Sequence, residues 1–438
     1  MLRRRLSILV LFVLALAACD TATDATTTST TVPEPGSTTS TVLPGSTSTT
    51  APASTTTTEI DLSDVDLPPG VVAELEELMR EAEEVRDLRF IATPTILVVS
   101  PGELETRIRE DIEEQSEDFP ADEALYELLG LIEPSVDLET LLSDLYGEQV
   151  AGVYDPETDE VVIRAREEGL SVVERSTIIH EFVHALTQQN FEYWDDYLAM
   201  FDEQRFDQAA AYQALFEGDA TFAQVRWLSG LSQMELGEFV AESLEIDSGA
   251  LDAAPEFLAQ VLMFPYDTGL GFVEALFGDG GWEAVNEAYT LLVDLPGSSE
   301  QVITPEDYRR DLPKSVPLPD LDLPGYELET TSVWGEISFR VMLDQVLGSE
   351  TASIASDGWG GDAYYQWFDG SNSAFLLVYE GDTAQDLEEL RQALLEFALT
   401  SVPEEDFVWV DEEDGLLYFI AADETSIGEL IRDTIGLT

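Results

Sequence analysis

The stretch His180-Glu181-Phe182-Val183-His184 holds both histidines of a 438-residue chain. Their spacing puts the two imidazoles on one face of a helix, one turn apart. That separation suits two ligands of one tetrahedral Zn²⁺ and leaves Glu181 beside the first of them. The flanking residues predict the helix itself, over 171–190. Ser171 stands at its start with Glu174 three positions on, a capping-box pattern. Val173, Ile178, Phe182, Val183 and Leu186 give it apolar faces to bury.

A catalytic Zn²⁺ takes three protein ligands and keeps one position for water. The chain has no third histidine, and its single cysteine, Cys19, lies near the N-terminus, so the third ligand has to be Asp or Glu. A second predicted helix, about 205–228, carries Leu215-Phe216-Glu217-Gly218-Asp219-Ala220. Glu217 stands in an alanine-rich apolar run, where a carboxylate is unfavourable to bury unless it is paired or on a metal. In a chain with 90 acids it also reads as a solvated surface residue. Gly218 removes a side chain where the two helices would approach. Asp219 either orients a ligand histidine through its free ring nitrogen or lies at the surface.

His-Glu-x-x-His followed on the next helix by Glu-Gly-x-Ala resembles the gluzincins, zinc metallopeptidases with a glutamate as third ligand. The thermolysin and aminopeptidase-N branches are the best known. Phe216-Glu217-Gly218-Asp219-Ala220 is similar to the ligand-helix segment Asn-Glu-Gly-Phe-Ala of the aminopeptidase branch. Residues 185–216 make a longer spacer than in those branches, which predicts an inserted loop at Trp194 to Phe206. Pro265-Tyr266-Asp267-Thr268-Gly269 resembles the Pro-Tyr-x-x-Gly segment whose tyrosine stabilises the oxyanion, and a tyrosine hydroxyl is a suitable donor in a chain without a third histidine. Tyr266 also reads as an aromatic packed at a helix start. Upstream, Gly152-Val153-Tyr154-Asp155-Pro156 stands near where the aminopeptidase branch has its substrate-binding Gly-x-Met-Glu-Asn strand. The resemblance implies an edge strand at Gly152, Val153 and Tyr154 that pairs with an extended peptide. Asp155 replaces the amine-binding glutamate, so aminopeptidase specificity is not carried over. The likeness covers roughly residues 150–310, and the same order of segments resembles bacterial lipoproteins with His-Glu-x-x-His. It implies a zincin-like catalytic domain, one catalytic Zn²⁺, His180, His184 and Glu217 as ligands, Glu181 as general base and Tyr266 as oxyanion donor.

Composition bounds the alternatives. With 90 Asp plus Glu against 19 Lys plus Arg, the net charge is −71, and Lys314 is the only lysine. Such a surface repels phosphate backbones, which argues against nucleic-acid partners. It favours solubility in a salty medium, or an acidic cleft that selects basic substrates or binds Ca²⁺. Hydrophobic content of 44% is enough for a folded body with a substantial core.

The N-terminal end reads as an export signal. Arg3-Arg4-Arg5 precede an apolar run from Leu6 to Ala18, and Leu16-Ala17-Ala18-Cys19 resembles the bacterial lipobox, in which the cysteine is lipidated. Residues 1–19 are therefore expected to be a lipoprotein signal peptide, with an ordinary signal peptide or an uncleaved anchor as the alternatives. Residues 20–60, rich in Thr, Ser and Pro, read as a disordered stalk or linker. The implied address is the bacterial cell envelope, outside the cytoplasm, tethered to the membrane at Cys19.

The expected fold class is α+β. The catalytic domain spans 61–325, with a small mixed sheet, an edge hairpin (149–164, turning at Asp155-Pro156) and a helical subdomain. Separate helices are predicted at 253–264 and 268–278. A compact α+β module follows at 326–438. In it Gly358-Trp359-Gly360-Gly361-Asp362 reads as a tight turn or as a ligand site. Two functions follow. One is a membrane-tethered zinc metallopeptidase acting on a peptide or protein. The other is a non-catalytic zincin-fold lipoprotein that binds a peptide or cell-wall partner.

Overall fold

The computed structural model describes residues 69–113, 116, 119–149, 152–164, 169–246, 249–290 and 296–437. Cys19, the export signal and the 20–60 linker lie outside the described residues. None of the described helices is long and apolar enough to cross a membrane.

The N-terminal half is built on a three-stranded mixed sheet. Helix α1 (Pro69–Arg86) leads to β1 (Thr95–Val99), then α2 (Pro101–Glu113), α3 (Phe119–Leu128) and α4 (Leu138–Gln149) precede the hairpin β2 (Gly152–Asp155) and β3 (Glu160–Arg164). β1 runs parallel to the central β3, and β2 runs antiparallel to it at the sheet edge. α5 (Val172–Phe191) carries both histidines. Ser171 accepts from the Glu174 N–H and Glu174 reaches back to the Ser171 N–H, so the capping box forms as read. α5 packs between α1 and the sheet, with Ile178, Ile179, Phe182, Ala185 and Leu186 in one core with Leu75, Met79 and Ile163.

A helical body follows: α6 (Trp194–Asp202), α7 (Phe206–Ser229), α8 (Gln233–Ser243), α9 (Gly249–Ala253), α10 (Glu256–Gly280), α11 (Trp282–Thr290) and α12 (Ser299–Ile303). The expected loop at Trp194 to Phe206 is largely helical, because Trp194, Tyr197 and Met200 recur at helical spacing and are buried. The two helices read at 253–264 and 268–278 are one. Pro265 lies inside α10, where packing of Phe264, Tyr266 and Phe272 offsets the missing backbone hydrogen bond.

The C-terminal part is a five-stranded antiparallel sheet, ordered β4-β5-β6-β8-β7. Its elements are β4 (Glu327–Ser332), α13 (Gly335–Leu347), α14 (Ser349–Ser356), β5 (Trp359–Phe368), β6 (Ser373–Gly381), α15 (Ala384–Thr400), β7 (Phe407–Glu413), β8 (Leu416–Ala422) and α16 (Thr425–Ile435). α13, α14 and α15 cover one face, in a core that also takes Leu125, Leu128 and Leu129 at α3 and Phe257 from α10. α16 and the segment with Val316 and Leu323 cover the other. The fold is α+β. Gly358 adopts positive φ just before β5, and Asp362 accepts from the backbone N–H groups of Trp334 and Gly335 and from Trp359 Nε1. The Gly/Trp segment thus holds the start of α13.

Candidate metal centre

α5 and α7 cross so that His180, His184 and Glu217 meet. Glu217 Oε2 lies 3.2 Å from His180 Nε2 and 3.3 Å from His184 Nε2. The two imidazole centroids are 4.6 Å apart. The three side chains offer ligand atoms that all lie within 4.8 Å of one another. None of the three residues is more than 1% exposed, and Glu181 is 0% exposed.

The donor set fits a zinc ion. Two imidazole nitrogens and one carboxylate converge, and among the described residues Glu217 Oε1 is buried without a hydrogen-bond partner. Burial drives the His180 pKa down to about 4, against the pull of the Glu217 carboxylate, so the ring is neutral and its lone pair is available. Burial opposes ionisation of Glu217 too, but its contacts with both imidazoles outweigh that and hold it below the usual carboxylate range.

Glu181 faces the sheet edge. Its Oε2 accepts the Tyr154 N–H at 2.8 Å, while Oε1 is buried without a partner among the described residues. Burial, then the nearby Glu217 charge, push its carboxyl well above the usual range. Gly152 lies beside it: a Cβ there would be in ordinary contact with Glu181 Cγ at 3.6 Å and in a tighter one with the Val162 carbonyl oxygen at 3.3 Å. Val153 pairs with Val162 in the hairpin, and Tyr154, buried, donates its hydroxyl to Asp159. On the strand expected to pair with a peptide, the Tyr154 N–H is engaged by Glu181.

Tyr266 comes from α10. Its ring lies 6.3 Å from the His180 ring at an interplanar angle of 27°. α10 reaches the site through glycines. A Cβ on Gly218 would stand 2.2 Å from the Gly269 carbonyl oxygen, and one on Gly269 would stand 2.3 Å from that of Ala214. Gly218 therefore admits α10, rather than α5 as the spacing suggested.

Asp219 meets neither histidine. Two residues past Glu217 it points about 200° round α7, away from His180 and His184. It lies 2.6 Å from Arg86 Nε and accepts the Tyr289 hydroxyl at 3.0 Å. Arg86 is fully buried, donates to Asn286 Oδ1 and stacks 4.3 Å over Trp282. Sequence reasoning missed Arg86, an arginine in the last turn of an exposed-looking acidic helix. It also missed Tyr193, a buried residue stacked on Phe216 at 4.9 Å whose hydroxyl has no hydrogen-bond partner among the described residues.

The centre is covered. Leu104, Ile108 and Ile112 of α2 and Leu145 of α4 form one apolar cluster with Val162 and Tyr266, extended by Val153 of β2 and by Ala250 and Leu251 of α9.

Residues 325–426 match a family described as a domain of unknown function (DUF8575). No curated protein matches the chain. A solved structure from Chloroflexus aurantiacus, a "putative hydrolase with a novel fold", is similar at 17% identity and a TM-score of 0.36, over 55% of this chain and 87% of that one.

Proposed function

We propose that the chain is a zinc-dependent metallopeptidase with a zincin-like catalytic domain, carried outside the membrane in the cell envelope on a lipid anchor at Cys19 and acting on a peptide or protein. The convergence of His180, His184 and Glu217, with Glu181 beside them, carries the reading. Zinc, when bound there, lowers the pKa of water and polarises a carbonyl.

The chain's own residues do the rest. Glu181 is held by the Tyr154 N–H at one oxygen, and once a cation bound at His180, His184 and Glu217 offsets the Glu217 charge and favours its ionised form, Oε1 can receive a proton from the attacking water. Tyr266, stacked near His180, donates to the oxygen that becomes negative. β2, at the sheet edge, is the strand against which an extended peptide would lie, with the Tyr154 N–H already given to Glu181. Among the described residues α2, α4 and α9 pack over β2 and α10, so a movement of these helices would open the centre to a substrate.

That burial is also what favours the second reading, a non-catalytic envelope protein whose zinc holds α5 to α7. Glu181→Gln separates the two. The peptidase reading expects this variant to bind one zinc per chain and to lose cleavage of a mixed peptide library that the native chain cuts. Undiminished cleavage by the variant would sink the mechanism. A zinc-loaded native chain that cuts nothing would favour the structural role.

A further inference from the structure

A second cluster of oxygen ligands lies where the helical body meets the C-terminal sheet. Glu300 comes from α12, Asp311 from the connection that follows it, and Asp382 from the turn between β6 and α15. Their carboxylates offer one oxygen each, all within 4.8 Å of one another. Acids crowd together often in so acidic a chain, so the state of Glu300 is what matters. It is 5% exposed, and among the described residues no donor hydrogen-bonds its carboxylate. Burial, followed by the charges of Glu336, Asp311, Asp382 and Asp307, pushes it up to about 9.

Lys314, the only lysine, is nearby and does not resolve this. Its ammonium lies 3.3 Å from Asp382 and 3.6 Å from Glu380, and it donates to the Gly381 carbonyl oxygen. No described ion pair joins it to Glu300. A buried carboxylate among like charges is strongly unfavourable without a cation or a proton.

We infer that Glu300, Asp311 and Asp382 form a binding site for a hard divalent cation of the Ca²⁺ class. All three donors are carboxylate oxygens, which select such ions over softer metals. Oxygens this far apart can flank one ion at the Ca²⁺–oxygen distance of roughly 2.3–2.6 Å. The bound ion ties α12 and the following connection to the β6–α15 turn, and so fastens the helical body to the sheet. The site shares no ligand with the histidine centre.

Calorimetric titration of CaCl₂ into the full chain, with thermal unfolding alongside, tests this on the native protein, Glu300→Gln, Asp382→Asn and His180→Ala. The native chain is expected to show one saturable site with a Kd below about 10⁻³ M and a higher Tm with Ca²⁺. Glu300→Gln and Asp382→Asn are expected to bind at least about tenfold more weakly and to lose the Tm rise. His180→Ala should keep both, whether or not the zinc reading holds. Glu300→Gln replaces a buried carboxyl, and circular dichroism checks its fold; should it misfold, Asp382→Asn at the exposed rim carries the test. Diffuse binding without a saturable site, binding unchanged in both variants, or loss of Ca²⁺ binding in His180→Ala would each overturn the assignment.

Discussion

Arg86 and Asp219 form a fully buried ion pair one step behind His180, His184 and Glu217. Tyr289 and Asn286 supply further hydrogen bonds, and Trp282 supplies a face for the guanidinium. Removing one partner strands the other charge, so Arg86→Ala should destabilise by about 3–5 kcal/mol in urea unfolding. Replacing both by apolar residues of similar volume should recover most of that loss. Zinc stoichiometry then separates Asp219 from its neighbour on α7: Glu217→Ala should lose the metal, while Asp219→Ala should hold it in a less stable fold. Loss of zinc in both variants to the same degree would return Asp219 to a role at the ligands. The meeting of His180, His184 and Glu217 was legible because the chain offers only two histidines, and Glu217 stands in the alanine-rich apolar run of the next long helix. The partner of Asp219 was not, since Arg86 lies on another helix and no local pattern joins them.

At the scale of elements, α5 and the β2–β3 hairpin were legible for local reasons. A capping box starts the helix, and a Pro/Asp turn divides two β-rich runs. α10 was not, because Pro265 reads as a break and only the packing of its neighbours keeps the helix continuous. β4 is a polar edge strand and α14 a short helix with little apolar periodicity, so both depend on the sheet and helices they meet. The contact that matters most between elements is the crossing of α7 and α10 at Gly218 and Gly269. Gly218→Ala puts a methyl against the Gly269 carbonyl, which is backbone and can move only if the helices separate. The expected cost is about 1–3 kcal/mol in denaturant unfolding. Because Glu217 and Tyr266 ride on these two helices, zinc should also be released faster to a chelator. An unchanged midpoint and an unchanged release rate would mean that the crossing relaxes without disturbing the site.

For the molecule as a whole, the acids determine how stability follows pH. Burial lifts Asp207 to about 7, against the Ser299 N–H and with the Asp362 charge adding to it. Burial lifts Asp362 to about 6, against the N–H groups of Trp334, Gly335 and Trp359. Glu336 is raised to about 8, by burial foremost, with Arg340 opposing and Asp357, Asp207 and Asp307 adding. All three lie between α7, α12, α13 and β5, where the helical body meets the sheet. Each has a folded pKa above its unfolded value near 4, so the folded state binds more protons between the two. Their contribution is complete below about pH 4 and is lost as pH rises through 6, 7 and 8. Glu217 runs the other way: its lowered pKa adds stability above the unfolded value that is lost only as pH falls towards about 2. Between pH 5 and 8 the raised group dominates, and the repulsion of a chain with net charge −71 adds to it. The chain without added Ca²⁺ should therefore be more stable at pH 5 than at pH 8, by at least about 2 kcal/mol. Urea unfolding at the two pH values measures this, and Asp207→Asn should flatten the slope. A stability that rises from pH 5 to 8 would mean that these acids are ionised and satisfied in the folded protein.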